Sequence, residues 1–211
     1  MADKETDKQG IFGKLMSVIT GAPAIKSDKD ATSGDHAPKE KEPEDVRFVR
    51  QFTQNGGFFL YCGTTNEIID GLHNMIAEHN LNNIGSPDAN IFSFLSANNI
   101  PKLQADINQC DTICTNCEAL IAFNGGIMIN EFHTHGLRID EMPKYHILFG
   151  KTSQLVENLS GAMTRVNHQY RENRPMQISV LKGAKDPQVN LAAADPNKDR
   201  TLFLLLIEDS L

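Results

Sequence analysis

No apolar run in the 211-residue sequence reaches the roughly 18–20 residues that a membrane span needs; the longest block, residues 202–207, has the length of a strand. Basic residues are too few for a general nucleic-acid binder. Twenty Lys and Arg stand against 27 Asp and Glu, giving a formal charge of −7 and a pI near 5.5, whereas such proteins carry a basic footprint. The first residues lack the pattern of a secretory signal: Asp3, Glu5 and Asp7 lie where a signal is positive, and no long apolar segment follows. A cytoplasmic location is therefore expected. The cysteines do not form a disulfide framework, since three crowd at Cys110, Cys114 and Cys117 and one stands alone at Cys62. There is no internal repeat, and no Ser-His-Asp set at a readable spacing.

What remains is an ordinary core diluted by a polar segment. Apolar residues make up 40% and charged residues 22%, both slightly below the average for a globular domain. The length suits one domain with a tail. Residues 1–44 are rich in Lys, Asp, Glu, Ala, Pro and Ser, with Phe12 the one aromatic. Such a segment buries too little surface to offset its ordering entropy, so a disordered tail is expected. Within it, Ile11, Phe12, Leu15, Met16, Val18 and Ile19 have the spacing of a short amphipathic helix, which is marginal in isolation.

The folded domain is expected over residues 45–211. Val46, Val49 and Phe52 recur at helical spacing, and Asn55-Gly56-Gly57 stops that helix. Residues 58–62 read as a buried strand. Thr64 or Thr65 caps a helix to about His79, with a stripe of Ile68, Ile69, Leu72 and Ile76. Residues 91–94 read as a short strand. Residues 120–123 and 127–130 flank Asn124-Gly125-Gly126, a hairpin signal because tight turns need positive φ. Residues 145–149 form a strand, and residues 153–173 the longest helix, with Leu155, Leu159, Val166 and Tyr170 in register. Residues 177–181 and 201–207 are strands; the last is apolar on both faces and so central. The alternation predicts an α/β domain with an open, mostly parallel mixed sheet and helices on both faces.

Several motifs could carry chemistry. Cys110-x3-Cys114-x2-Cys117 could hold three corners of an iron–sulfur cluster; it also has the cysteine spacing of radical-SAM enzymes, but Asn116 stands where an aromatic is usual. We read these cysteines as buried apolar filler, a metal or redox role being the alternative. His133-Thr134-His135, near Glu131 and Asp140, is read as a solvated loop because a metal needs three or more ligands. Phe149-Gly150-Lys151-Thr152-Ser153 joins a strand to a helix where a P-loop would lie. Tyr145 replaces the glycine that a Walker A requires. The turn still offers Lys151, Thr152, Ser153 and backbone N–H groups to an anion, and ligands of open α/β sheets bind beyond the strand carboxyl ends. Glu118, just before the hairpin, could act as base or nucleophile if buried. The turn at Asn124, Gly125 and Gly126 could present N–H groups to a ligand.

Taken together, Asn55-Gly56-Gly57-Phe58-Phe59-Leu60-Tyr61-Cys62, Cys117-Glu118-Ala119-Leu120-Ile121-Ala122-Phe123-Asn124-Gly125-Gly126-Ile127, Thr152-Ser153-Gln154-Leu155-Val156 and Leu204-Leu205-Leu206-Ile207-Glu208-Asp209 resemble the LUD domain of the lactate utilisation protein C family. The closest form is the short stand-alone version of the Bacteroidetes. The resemblance covers residues 45–211 and rests on order and spacing. It implies a fold similar to the NagB/RpiA/CoA-transferase group and a link to oxidation of L-lactate to pyruvate, alongside an iron–sulfur partner and an oxidoreductase-like partner. The family pattern falls on Glu118, Ala122, Gly125 and Gly126, and its Pro-x-x-His-Ile element on Pro143, His146 and Ile147. Longer members end in a Gly-Pro-Ser-x-Thr-x-Asp-Ile-Glu type segment that looks like a ligand loop; here Asp195-Pro196-Asn197-Lys198-Asp199-Arg200 stands in its place.

The leading functional expectation is an accessory protein of lactate oxidation that binds a small anionic metabolite or cofactor at the strand ends, with Glu118, Asn124, Gly125, Gly126, Lys151, Thr152 and Ser153 at the site. No particular cofactor and no metal is implied. The alternatives are a ligase- or transferase-type enzyme using ATP or a CoA thioester with Glu118 as nucleophile, and a protein–protein module whose tail recruits partners through residues 11–19.

Overall fold

The computed structural model describes residues 42–183 and 200–209. The expected tail and its amphipathic segment lie outside the described residues up to position 41, as do residues 195–199 of the segment that replaces the family's ligand loop. Five parallel strands form the first sheet: β1 (Phe58–Cys62), β2 (Ile84–Gly85), β3 (Thr112–Asn116), β6 (Tyr145–Lys151) and β9 (Thr201–Ile207), in the order β1-β9-β6-β3-β2. A second sheet has the order β7-β4-β5-β8, from β4 (Ala119–Ile121), β5 (Gly126–Asn130), β7 (Leu155–Val156) and β8 (Ile178–Leu181). In it β4 runs antiparallel to β5 and parallel to β7, and β5 antiparallel to β8. The helices are α1 (Glu44–Gln54), α2 (Thr65–Glu78), α3 (Ala89–Ala97), the single turn α4 (Glu131–Thr134) and α5 (Leu159–Gln169). This is an α/β fold with a parallel central sheet flanked by helices.

The central position expected for residues 201–207 holds: β9 lies between β1 and β6, and Leu202 to Leu206 are buried. Thr64 is the cap of α2, its hydroxyl accepting the Glu67 N–H at 3.2 Å. Ile68, Leu72 and Ile76 of the expected stripe are buried, and they join Leu95, Cys114, Ile147 and Leu205 in the core of the first sheet. A smaller core of Ala119, Ile121, Met128, Ala162 and Val166 lies between the second sheet and α5.

Two expected elements differ. Residues 91–94 are helical, within α3: the Asp88 side chain caps the helix by accepting the Asn90 N–H at 2.8 Å, and Ile91 and Leu95, one turn apart, are both buried. Four apolar residues read equally well as strand or helix, and here cap and length decide. The helix expected over 153–173 is broken. Residues 152–154 form a 3-10 turn, Leu155 and Val156 pair with Leu120 and Ile121, and the helix begins only where Asn158 accepts the Gly161 N–H. Pairing with a sheet the sequence did not announce takes two residues out of the helix.

Candidate functional site

The strand carboxyl ends are open. Asn116 at the end of β3, Phe149 of β6 and Ile207 of β9 line a cavity of about 240 Å³ with Ile68 of α2 and Asn90, Ile91 and Phe94 of α3. Both helices start here, so their positive ends face the opening. Its walls are apolar except for the amides of Asn90 and Asn116. The Asn116 amide reaches Asp88 at 3.4 Å. At this size, below the roughly 300–1,000 Å³ of drug-sized ligand sites, the cavity is too small for a whole dinucleotide. A wider hollow of about 470 Å³ is walled by Phe132 and residues 168–173, around the end of α5.

Two residues beyond Asn116, where the chain leaves the first sheet for the second, stands Glu118. Its side chain is 1% exposed. Oε2 accepts hydrogen bonds from the Asn130 amide at 3.1 Å and the Tyr170 hydroxyl at 2.9 Å. Oε1 faces Arg165 Nε at 3.5 Å. Asn130 works at both ends, since its Oδ1 also accepts the Phe132 N–H at 3.0 Å and so caps α4. His133 of α4 accepts the Asn130 N–H at Nδ1, 3.3 Å away, and its Nε2 lies 3.9 Å from Glu118 Oε2. Burial pushes His133 down to about 4, opposed by nearby Asp88. The ring is therefore neutral, with its proton on Nε2, directed at the carboxylate. Burial and the Glu118 carboxylate raise the Tyr170 phenol. The cluster holds groups suited to orienting charge and moving protons, drawn from β5, α4, α5 and the link between the sheets.

The residues expected at the site fall into two places. Lys151 ends β6, and Thr152 and Ser153 form the turn after it. The anion on that turn is the chain's own: Asp209 accepts from Thr152 Oγ1 at 2.6 Å, Ser153 Oγ at 2.6 Å and Ser153 N–H at 2.8 Å. Those hydrogen bonds hold the Asp209 carboxyl below its ordinary value, with help from Lys151 and slight opposition from burial. Ser153 does not cap a helix, but its carbonyl accepts from Arg165 Nη1 at 3.1 Å, which ties this turn to Glu118. Asn124, Gly125 and Gly126 lie elsewhere, beneath α1. Asn55 donates to the Asn124 carbonyl at 2.9 Å, and Asn124 Oδ1 accepts the Gly126 N–H at 3.0 Å.

The four cysteines are free thiols. Burial pushes Cys117 up to about 12 and Cys62 up to about 11, and raises Cys114 as well. These are inert protonated thiols, not ready nucleophiles. Among the described residues no group of three His, Cys, Asp or Glu is placed to hold a metal ion. His146 is fully buried in β6, its Nε2 within 2.7 Å of Thr115 Oγ1, and burial pushes it down to about 3. His133 and His146 stay neutral when folded but bind protons near pH 6.5 when unfolded. Stability is therefore full above about pH 6.5 and falls as the pH drops below it. Together they withdraw about 2 kcal/mol between pH 6.5 and 5.5. The melting temperature should fall by about 4–8 °C over that unit; replacing both histidines by Gln should flatten the profile.

Arg165, Tyr170 and Asn130 were not legible as site residues. Arg165 follows a glycine-alanine-rich helical turn as any solvent-edge cation would, and Asn130 reads as a strand end. The signal available was Glu118 itself, because a carboxylate next to a strand run that is apolar throughout requires partners.

The sequence matches no protein-family model and no curated protein. The structure is similar to the crystal structure of a DUF162 family protein from Deinococcus radiodurans. The TM-score is 0.53 at 19% identity, covering 78% of this chain and 96% of that one. At that identity the likeness establishes a shared fold.

Proposed function

We propose that this chain is a LUD-like protein that binds a small anionic metabolite of the lactate–pyruvate kind at its strand ends, as an accessory to L-lactate oxidation. In this role it acts beside an iron–sulfur protein and an oxidoreductase. The observation that carries the reading is the cavity at the ends of β3, β6 and β9, closed by the first turns of α2 and α3. Its size suits a short acid, and its place is where open α/β sheets bind ligands. The shared fold with a DUF162 protein, a family that corresponds to LUD-like domains, supports it. A transferase with Glu118 as nucleophile has less support. Two donors bind one oxygen and a cation faces the other, so neither oxygen is free to attack a substrate.

Thermal shift and calorimetry with L-lactate, pyruvate, ATP, CoA, flavin and nicotinamide nucleotides test the reading. A ligand at about a hundred times its dissociation constant adds roughly 2.7 kcal/mol. For a domain of this size that raises the melting temperature by about 5–10 °C. Lactate or pyruvate should give that rise, and Ile91→Trp, which fills the cavity, should abolish it. A flat response to both acids from a well-folded protein rejects the small-acid site and favours the interaction module.

A further inference from the structure

The buried network around Glu118 fixes an aromatic pair that the packing leaves open. Tyr170 donates its hydroxyl to Glu118 Oε2 at 2.9 Å. Phe132 is tied to the same carboxylate through Asn130, whose Oδ1 accepts the Phe132 N–H at 3.0 Å and whose amide donates to Oε2 at 3.1 Å. The two ring centroids lie 5.1 Å apart, and the rings are tilted by 36°, within the range of favourable aromatic pairs. Yet Phe132 is 37% exposed, and both residues line the hollow of about 470 Å³ at the end of α5. That volume falls within the roughly 300–1,000 Å³ of small-molecule sites. A buried carboxylate is costly to desolvate. Here its hydrogen bonds hold both rings in place before any ligand arrives, which spares a ligand the cost of ordering them.

The rest of the lining selects the chemistry of the ligand. Gln169 and Asn173 bring side-chain amides, each with donors and an acceptor. Gln169 Nε2 donates to the Tyr170 hydroxyl at 3.1 Å, which leaves the carbonyl oxygen to accept from a ligand. Arg171 and Glu172 also line the hollow, and Arg171 Nη2 donates to His168 Nδ1 at 3.2 Å. One guanidinium beside one carboxylate is not the excess of positive charge that a phosphate group calls for. We propose that this hollow binds a flat, uncharged nitrogen heterocycle of the purine base or nucleoside kind, stacked on the Phe132–Tyr170 pair with its polar edge met by the amides of Gln169 and Asn173. An aliphatic ligand would fill the same volume but leave those amides unpaired. The hollow shares no lining residue with the strand-end cavity, so the proposal does not rest on the small-acid reading.

The test is adenosine titrated into the full chain, with ribose and adenosine monophosphate in parallel, read by calorimetry and by the ring-proton resonances of the three tyrosines. Adenosine should bind and ribose should not. The tyrosine signal that is missing from the Tyr170→Phe spectrum should shift as adenosine is added. Stacking of a base on an aromatic side chain predicts a loss of about tenfold or more in affinity for Phe132→Leu, which keeps an apolar side chain without the ring. Phe132→Tyr keeps a ring and should bind as wild type does. Equal adenosine affinity in wild type and Phe132→Leu overturns the proposal, as does binding that leaves the Tyr170 signal unmoved. Adenosine monophosphate binding more than about tenfold tighter than adenosine overturns the uncharged ligand in favour of a phosphate site. No binding of adenosine to wild type at millimolar concentration rejects the site and leaves the small-acid reading standing.

Discussion

Gly125→Val is expected to lower the melting temperature by about 8–16 °C. Gly125 has φ +65°, and a Cβ there would lie 2.4 Å from the Phe52 backbone nitrogen and 2.6 Å from the Gln51 carbonyl carbon. Two costs add. A β-branched residue in the left-handed region costs about 1–3 kcal/mol, and forcing α1 away from the turn costs about as much again. Neighbouring atoms here are helix backbone, which cannot rotate aside. A total near 4 kcal/mol, at 2–4 °C per kcal/mol for this size, gives the expected fall. Gly136→Val is the control. Gly136 also has positive φ, +84°, but a Cβ there meets nothing within 4 Å. It should show the conformational cost alone, at most about half the drop. Equal melting temperatures for Gly125→Val and wild type would reject the packing of α1 on this turn.

Glu118→Ala should be the second most damaging change. It leaves the Asn130 amide and the Tyr170 hydroxyl without their common acceptor and Arg165 without its ion-pair partner. Removing one partner of a buried ion pair costs about 3–5 kcal/mol. The lower end applies here, because Arg165 is a third exposed and water can solvate it. About 3 kcal/mol corresponds to a fall of about 6–12 °C. Glu118→Gln retains the shape and one carbonyl acceptor and should lose about half as much. Urea midpoints at constant slope would check both. Should Glu118→Gln cost nothing while Glu118→Ala is damaging, the carboxylate's charge plays no part in holding α5 to the second sheet.

These two residues show what could be read in advance and what could not. Three strands of the first sheet were legible because they are short apolar runs bounded by caps and turns: β1, β6 and β9 fall where expected, whereas β2 and β3 were not read. Thr64 marked its helix because a hydroxyl before a periodic run has one obvious local task. In the second sheet β4, β5 and β8 were legible as strands, but not that they form a separate sheet joined by β7. Leu155 and Val156 look like part of a helix until Leu120 and Ile121 claim them, and that pairing spans more than thirty residues of chain. Gly125 was correctly singled out for its positive φ, but its close approach to α1 is a tertiary fact that no local pattern encodes. Glu118 stood out as an acid beside apolar strands. Its partners come from three other elements, so their convergence was invisible to spacing. The apolar cavity was hidden for the same reason: each lining residue reads locally as core.

The order of strands in the first sheet bears on how the chain is made. Among the described residues β1 has one neighbour, β9, and β9 is also the link between β1 and β6. During synthesis, β1 and β6 emerge long before residues 201–207 leave the ribosome. Until then each presents an unpaired edge, and α1 and α2 have only one strand of that sheet to pack on. The sheet thus closes by insertion of its last-made strand between two waiting ones, an event that must follow translation of nearly the whole domain. Such exposed edges are templates for wrong pairing. A chain ending before residue 201 should therefore be protease-sensitive at β1 and bound by chaperones, whereas the full 211-residue chain should fold.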